Sequence, residues 1–204
     1  IKSGTLNKDD FAFMSGTVLG EGASAATRYT PYYNAASSNL PENFVYLKNL
    51  KKIDLSGADC ENDMIPGRAF FGNTQITSII LPKNVKRIGL AAFCNMTNLS
   101  YLSTSATENL RFDGVKILGE SMVSGDAALK GTLALPDSLE GIGASCFANS
   151  GIEGNIVIKG SLNIKDNADY APSYKYPNCE YLFYNTNIAS IRFESGIETI
   201  PAHI

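Results

Sequence analysis

The side chains of this 204-residue chain with chemistry to offer are four cysteines (Cys60, Cys94, Cys146, Cys179), one histidine (His203) and 20 acidic residues. No two cysteines stand in a CxxC pair, and the single histidine lies at the end of the chain. A Cys/His zinc site therefore has almost no ligands to draw on. Sequence separation leaves the pairing of the cysteines open. No GxSxG, P-loop or HExxH occurs, and a Ser–His or Cys–His relay would have only His203 as its base. A carboxylate pair of the glycosidase kind is open by composition, but no spacing singles one out. Asp166 and Asp169, with Asn167 between them, lack the spacing and closing Glu of an EF-hand and read as a solvated turn. The expectation is no catalytic residue, no metal and no cofactor.

The remaining contact chemistry is aromatic. Tyr170, Tyr174, Tyr176, Tyr181 and Tyr184 crowd one short segment. Exposed tyrosine gives a large amphipathic contact at low entropic cost, suited to protein or glycan surfaces; the competing reading is that the rings pack the segment onto the body of the protein. Tyr184, next to Phe183, is expected to be structural. The formal charge of −3 comes without a basic run, which speaks against a nucleic-acid groove. No apolar stretch reaches the roughly 18 residues of a membrane span. The chain begins at Ile1 rather than Met, as expected of a processed product or a fragment, so the absence of a signal peptide from it says little about compartment.

What must position these residues is a repeat. Val85-Lys86-Arg87-Ile88-Gly89-Leu90-Ala91-Ala92-Phe93 matches Leu139-Glu140-Gly141-Ile142-Gly143-Ala144-Ser145-Cys146-Phe147, and each follows a Leu-Pro, at Leu81-Pro82 and Leu135-Pro136. A third copy runs from Val115 to Val123, with Val123 in place of Phe. Ile65 to Phe70 keeps the second half, and Ile197 to Pro201 the first. The anchors Phe70, Phe93, Val123, Phe147 and Phe183 are 23, 30, 24 and 36 residues apart, so the base period is near 23. That lies in the leucine-rich-repeat range of about 20–29.

Each repeat carries one apolar row that it cannot bury alone, so stacked coils must share one interior with the anchors along its axis. Thr77–Leu81 and Ser190–Phe193 read as short parallel strands. The glycines after Ile88, Leu118 and Ile142 suit a tight or left-handed backbone, and Asn73, Asn95, Asn149 and Asn185, just after the anchors, are expected to bond turn backbone. The expected architecture is a leucine-rich-repeat solenoid with a parallel strand on the concave face and irregular or short helical convex segments. Residues 1–48 form an N-terminal cap and irregular segment, with a helix capped at Asn7 and carrying Phe11, Ala12 and Met14. Residues 49–204 form about five repeats, with insertions near 103–114 and 166–180. Ile204 falls inside a repeat, so the natural protein is expected to continue. With Ile79 and Leu81 pointing inward, Ile80 faces out, as do Asp54, Ala134, Val157 and Arg192; such concave rows often bind.

The run LPKNVKRIGLAAFCNMTNL and its echo LPDSLEGIGASCFANSGI resemble the BspA-like leucine-rich-repeat family of bacterial surface proteins. SGTLNKDDFAFM and NLKKIDLSGA resemble the lead-in of such proteins, and the likeness covers roughly Leu47 to the end. The resemblance implies a secreted or cell-surface module that adheres to host proteins or to other bacteria, with no family-wide catalytic residue or cofactor. Val123 and the Asp166–Glu180 insertion depart from the pattern. The expected ligand surface is thus Tyr170, Tyr174, Tyr176 and Tyr181 together with Asp54, Ile80 and Arg192, for a protein or glycan ligand, without nucleic acid or membrane insertion. The alternatives are a glycan-active hydrolase and a structural spacer for another domain.

Overall fold

The computed structural model describes residues 3–16, 47–159, 181–196 and 204. The cap opens with β1 (Thr5–Leu6) and α1 (Lys8–Ser15). Asn7 caps α1 as expected: its side chain accepts the Asp9 and Asp10 N–H groups, and the Asp10 carboxylate accepts the Asn7 N–H at 2.9 Å. This reciprocal box satisfies donors that the first turn leaves open. Gly16, with φ of 73°, ends the helix. Phe11 is fully buried and meets Phe70 edge-on, with centroids 5.9 Å apart, so the helix covers the interior of the first coil.

The array follows as β2 (Lys52–Asp54), β3 (Asp59–Cys60), β4 (Met64–Ile65), β5 (Ser78–Ile80), β6 (Arg87–Ile88), β7 (Tyr101–Ser103), β8 (Ile117–Leu118), β9 (Gly131–Thr132), β10 (Gly141–Ile142), β11 (Ile152–Ile158) and β12 (Asn187–Phe193). Strands from successive coils stack in parallel. The first flank, the one expected to be concave, carries two three-stranded sheets, β2-β5-β7 and β9-β11-β12. A second flank carries the ladder β4-β6-β8-β10, with pairs such as Arg87↔Ile117 and Ile88↔Leu118. Strand β1 adds to the array by pairing with β3.

One interior runs through the coils. Phe70, Phe93, Val123 and Phe147 are fully buried and Phe183 is 6% exposed, all within one apolar cluster. Phe70 stacks on Phe93 and Phe147 on Phe183, each pair with centroids 5.6 Å apart. The anchors sit in tight turns whose backbones are also laddered. Phe70 N–H donates to Ala92 O at 2.7 Å, Phe93 to Met122 O at 3.0 Å, Val123 to Cys146 O at 3.0 Å and Phe147 to Leu182 O at 3.1 Å.

Three expectations change in the structure. Gly89, Gly119 and Gly143 are not in the left-handed region. They are glycines because adjacent coils touch through their backbones: a Cβ would lie 2.4 Å from Gly67 N, 2.5 Å from Gly89 C and 2.3 Å from Glu120 N, respectively. Left-handed backbone falls instead two residues before each anchor, at Arg68, Ala91, Ser121, Ser145 and Tyr181, and two residues after, at Gly72, Asn95, Gly125, Asn149 and Asn185. Of the asparagines, Asn73 does bond turn backbone, accepting the Gln75 and Ile76 N–H groups, whereas Asn185 donates to the Asn149 side chain at 3.0 Å.

The third change concerns 103–114. Residues 104–108 leave the first flank, but the chain returns into its ladder: Leu110 and Phe112 are fully buried and Arg111 bridges to Ala134. Thr104 N–H donates to Arg111 O at 2.8 Å, so Asn109–Arg111 occupies the place of a further rung between β7 and β9. Asn109 completes that rung with its side chain. Its Oδ1 accepts the Leu102 N–H at 2.9 Å, and its Nδ2 donates to Ser100 O and Lys130 O, both at 3.0 Å. A primary amide copies the donor and acceptor of a peptide group, which is why Asn serves here. The 166–180 insertion lies outside the described residues.

Candidate functional site

The outward row of the first flank is built on a buried inward row. Ile53, Ile79 and Leu102 are 6%, 0% and 0% exposed, and they pair across the sheet. Side chains alternate along each strand, so the neighbours Asp54 and Ile80, also paired, face out. Asp54 is exposed and Ile80 half-buried. The Ser56 hydroxyl and N–H donate to the Asp54 carboxylate at 2.7 and 2.9 Å and hold it below its ordinary pKa. The next residue in that row, Ser103, is fully buried under the 104–108 excursion and donates to Glu108 O at 2.6 Å.

Beyond the excursion, Ala134 and Arg192 are exposed and Val157 is half-buried, with Val157 and Arg192 paired across β11 and β12. Arg192 lies 3.7 Å from Glu194. The structure thus brings Asp54 together with Ile80 but sets Arg192 in the other sheet. Between the two patches stands Arg111, forked onto Glu108 at 2.7 Å and Asp113 at 3.0 Å, and the hydrogen bonds it donates to Asp113 and Glu108 hold its guanidinium firmly charged.

Tyr181 is 44% exposed and meets Tyr184 edge-on at 6.0 Å, on the turn beside the Phe183 anchor. Tyr184 was expected to pack inward and does not: it is 59% exposed. The residue after the anchor is part-exposed at Phe71 and Ser124 as well, whereas the small Cys94 and Ala148 stay buried. Tyr170, Tyr174 and Tyr176 lie outside the described residues, as do Cys179, His203, Asp166 and Asp169.

Cys60, Cys94 and Cys146 are buried. Burial pushes the thiols of Cys60 and Cys94 up to about 12, far from nucleophilic use at neutral pH. Two residues escaped the sequence reading. One is Asn109. The other is Asp126, fully buried, whose Oδ1 accepts the Met96 N–H at 2.8 Å from the preceding coil, while Oδ2 has no partner. Burial raises its carboxyl to about 8 against the pull of that one hydrogen bond. The signal for it was an acid in the third place after the Val123 anchor, where the next repeat has Ser150. Among the described residues, no cluster of His, Cys, Asp and Glu has the makings of a metal site. No described helix is long and apolar enough to cross a membrane.

No curated protein matches the chain. Among solved structures, it is similar to a leucine-rich repeat protein from Bacteroides ovatus ATCC 8483, at 24% identity and a TM-score of 0.48 over 66% of this chain. The match spans 32% of that protein, about a third of its length. A family model described as the BspA type leucine rich repeat region, in six copies, matches residues 38–171 and 106–204. With its repeat, its shared interior and this match over most of its length, the chain belongs to the BspA-type leucine-rich-repeat family.

Proposed function

We propose that this array is a cell-surface or secreted recognition module that binds a host or bacterial protein, or a glycan, through the outward row of its first flank, with no chemistry of its own. The observation that carries the reading is the Asp54–Ile80 pair, held on a fully packed inward row. A ladder of this kind fixes outward side chains about 4.8 Å apart from strand to strand. Little ordering entropy is then lost when a ligand docks. Ile80 offers apolar area beside the charge of Asp54, and Arg192 offers a cation further along the flank. The exposed Tyr181, with Tyr170, Tyr174 and Tyr176, supplies the aromatic part of the contact. Membership of a family whose repeats serve protein binding supports the same choice over a hydrolase.

The test is a binding screen of the whole chain against a panel of extracellular-matrix proteins and a glycan array. At least one probe is expected to bind, and Asp54→Lys with Ile80→Glu should weaken it tenfold or more with the circular dichroism unchanged. A hit indifferent to that double variant, to Arg192→Ala and to alanine at Tyr170, Tyr174, Tyr176 and Tyr181 would place the contact elsewhere. No hit at all would favour a spacer.

A further inference from the structure

Three features of the array coincide between the coils anchored on Phe93 and Val123. The ladder of the first flank changes sheets there, and among the described residues β7 and β9 are joined through the Asn109–Arg111 rung and its single bridge to Ala134. The run of stacked rings stops there: Phe70 stacks on Phe93 and Phe147 on Phe183, while Val123 stands between the two stacks. Asp126 is buried there as well, with one carboxyl oxygen on Met96 N–H across the junction and the other unpartnered. The second flank is unbroken at the same place, through β6 and β8, and so is the ladder of the anchor turns, through the Phe93–Met122 backbone bond.

We propose that this junction is a hinge, with the second flank as its leaf, and that the buried Asp126 carboxyl, bonded across it to Met96 N–H, holds it closed, so that rising pH loosens it. An ionised carboxylate in an apolar interior requires a counter-charge or water. The titratable neighbour on the preceding coil is the Cys94 thiol, whose proton Asp126 itself helps to retain. Arg68 lies one coil further back and acts on Cys94 and on Glu120. On the following coil the neighbours are uncharged, with Gly151 N–H on Asp126 O and Ser150 bonded to Phe147 O. On its own coil Lys130 is exposed. With no cation among the described residues set against it, a charge on Asp126 is met most readily by water entering from the first flank, where the ladder is weakest.

Hydrogen exchange of the whole chain from pH 5 to 9, read as protection factors that remove the intrinsic pH dependence, tests this. The Met96 and Thr104 amides are expected to lose protection as pH rises, up to about tenfold per pH unit below pH 8. At every pH the Phe70 and Phe147 amides, outside the junction, should stay better protected than Met96. Asp126→Asn and Asp126→Ser should both flatten the Met96 profile, Ser being the residue of the next repeat at this place. A flat Met96 profile in the unaltered chain overturns the proposal. So does a slope that survives in both variants, or protection at Phe70 no greater than at Met96 across the range, which would be unfolding of the whole array.

Discussion

A carboxyl group closed inside an apolar interior keeps its proton far above the ordinary carboxylate range, and Asp126 does so to about 8. The unfolded chain releases that proton near pH 4. Between these values the native state binds one proton more than the unfolded state, so stability falls as pH rises. The slope approaches about 1.4 kcal/mol per pH unit and levels off once both states are ionised, above pH 8. Urea titrations at pH 5, 6, 7 and 8 should show this decline, and Asp126→Asn should remove most of it. The glycines make a second prediction at the same scale. A Cβ on Gly119 would lie 2.5 Å from the Gly89 carbonyl carbon and 2.7 Å from Ile88 O, against rigid backbone on the neighbouring coil. Gly119→Ala should therefore cost about 1–3 kcal/mol or more, whereas alanine at Gly72, where nothing lies within 4 Å, pays only for its φ of 69°, about 1–2 kcal/mol. Thermal unfolding of the two variants would separate contact from conformation.

Among the elements, the Asn109 rung answers most directly to mutation. Asn109→Ala strips the Leu102 N–H of its acceptor and the Ser100 and Lys130 carbonyls of a shared donor. The expected cost is about 1–3 kcal/mol, with exchange at Leu102 accelerating while Ile53 and Ile79 stay protected. This rung also marks where the sequence stopped being readable. The first-flank strands were legible because Ile79 and Leu81 alternate with Ile80, and the anchors because Phe recurs at a nearly fixed step. The second-flank ladder was not foreseen, since strands of two residues such as Arg87–Ile88 are too short to alternate. Leu110 and Phe112 are apolar, yet they fall where the repeat step lengthens, so pattern alone assigned them to a loop. The outward placement of Asp54, Ile80 and Arg192 followed from alternation. Tyr184 was misplaced because its neighbour Phe183 is buried, and adjacency in sequence says nothing about direction in a turn that contains two left-handed residues, Tyr181 and Asn185.

For the whole molecule, stability should be nearly a sum over coils and their contacts. Phe70→Ala and Phe93→Ala remove two halves of one ring stack and should couple by about 0.5–1.5 kcal/mol in a double-mutant cycle. Phe93→Ala and Phe147→Ala, separated by the Val123 coil, should add within about 0.5 kcal/mol. Each single change is expected to cost about 3–5 kcal/mol. Strong coupling between Phe93 and Phe147 would show instead that the interior responds as one block. The excursion at 104–108 carries a consequence for how such arrays diversify. Both of its feet are pinned, one by Thr104 on Arg111 and the other by the Asn109 amide, and Ser105 and Glu108 are tied back to Tyr101 and Ser103, so the exposed tip at Ala106 and Thr107 can drift in length and composition while the coils on either side keep their spacing. A short peptide tag spliced between Ala106 and Thr107, both exposed, would be carried as a passenger, and lineages could try out new surface loops there without re-cutting the scaffold.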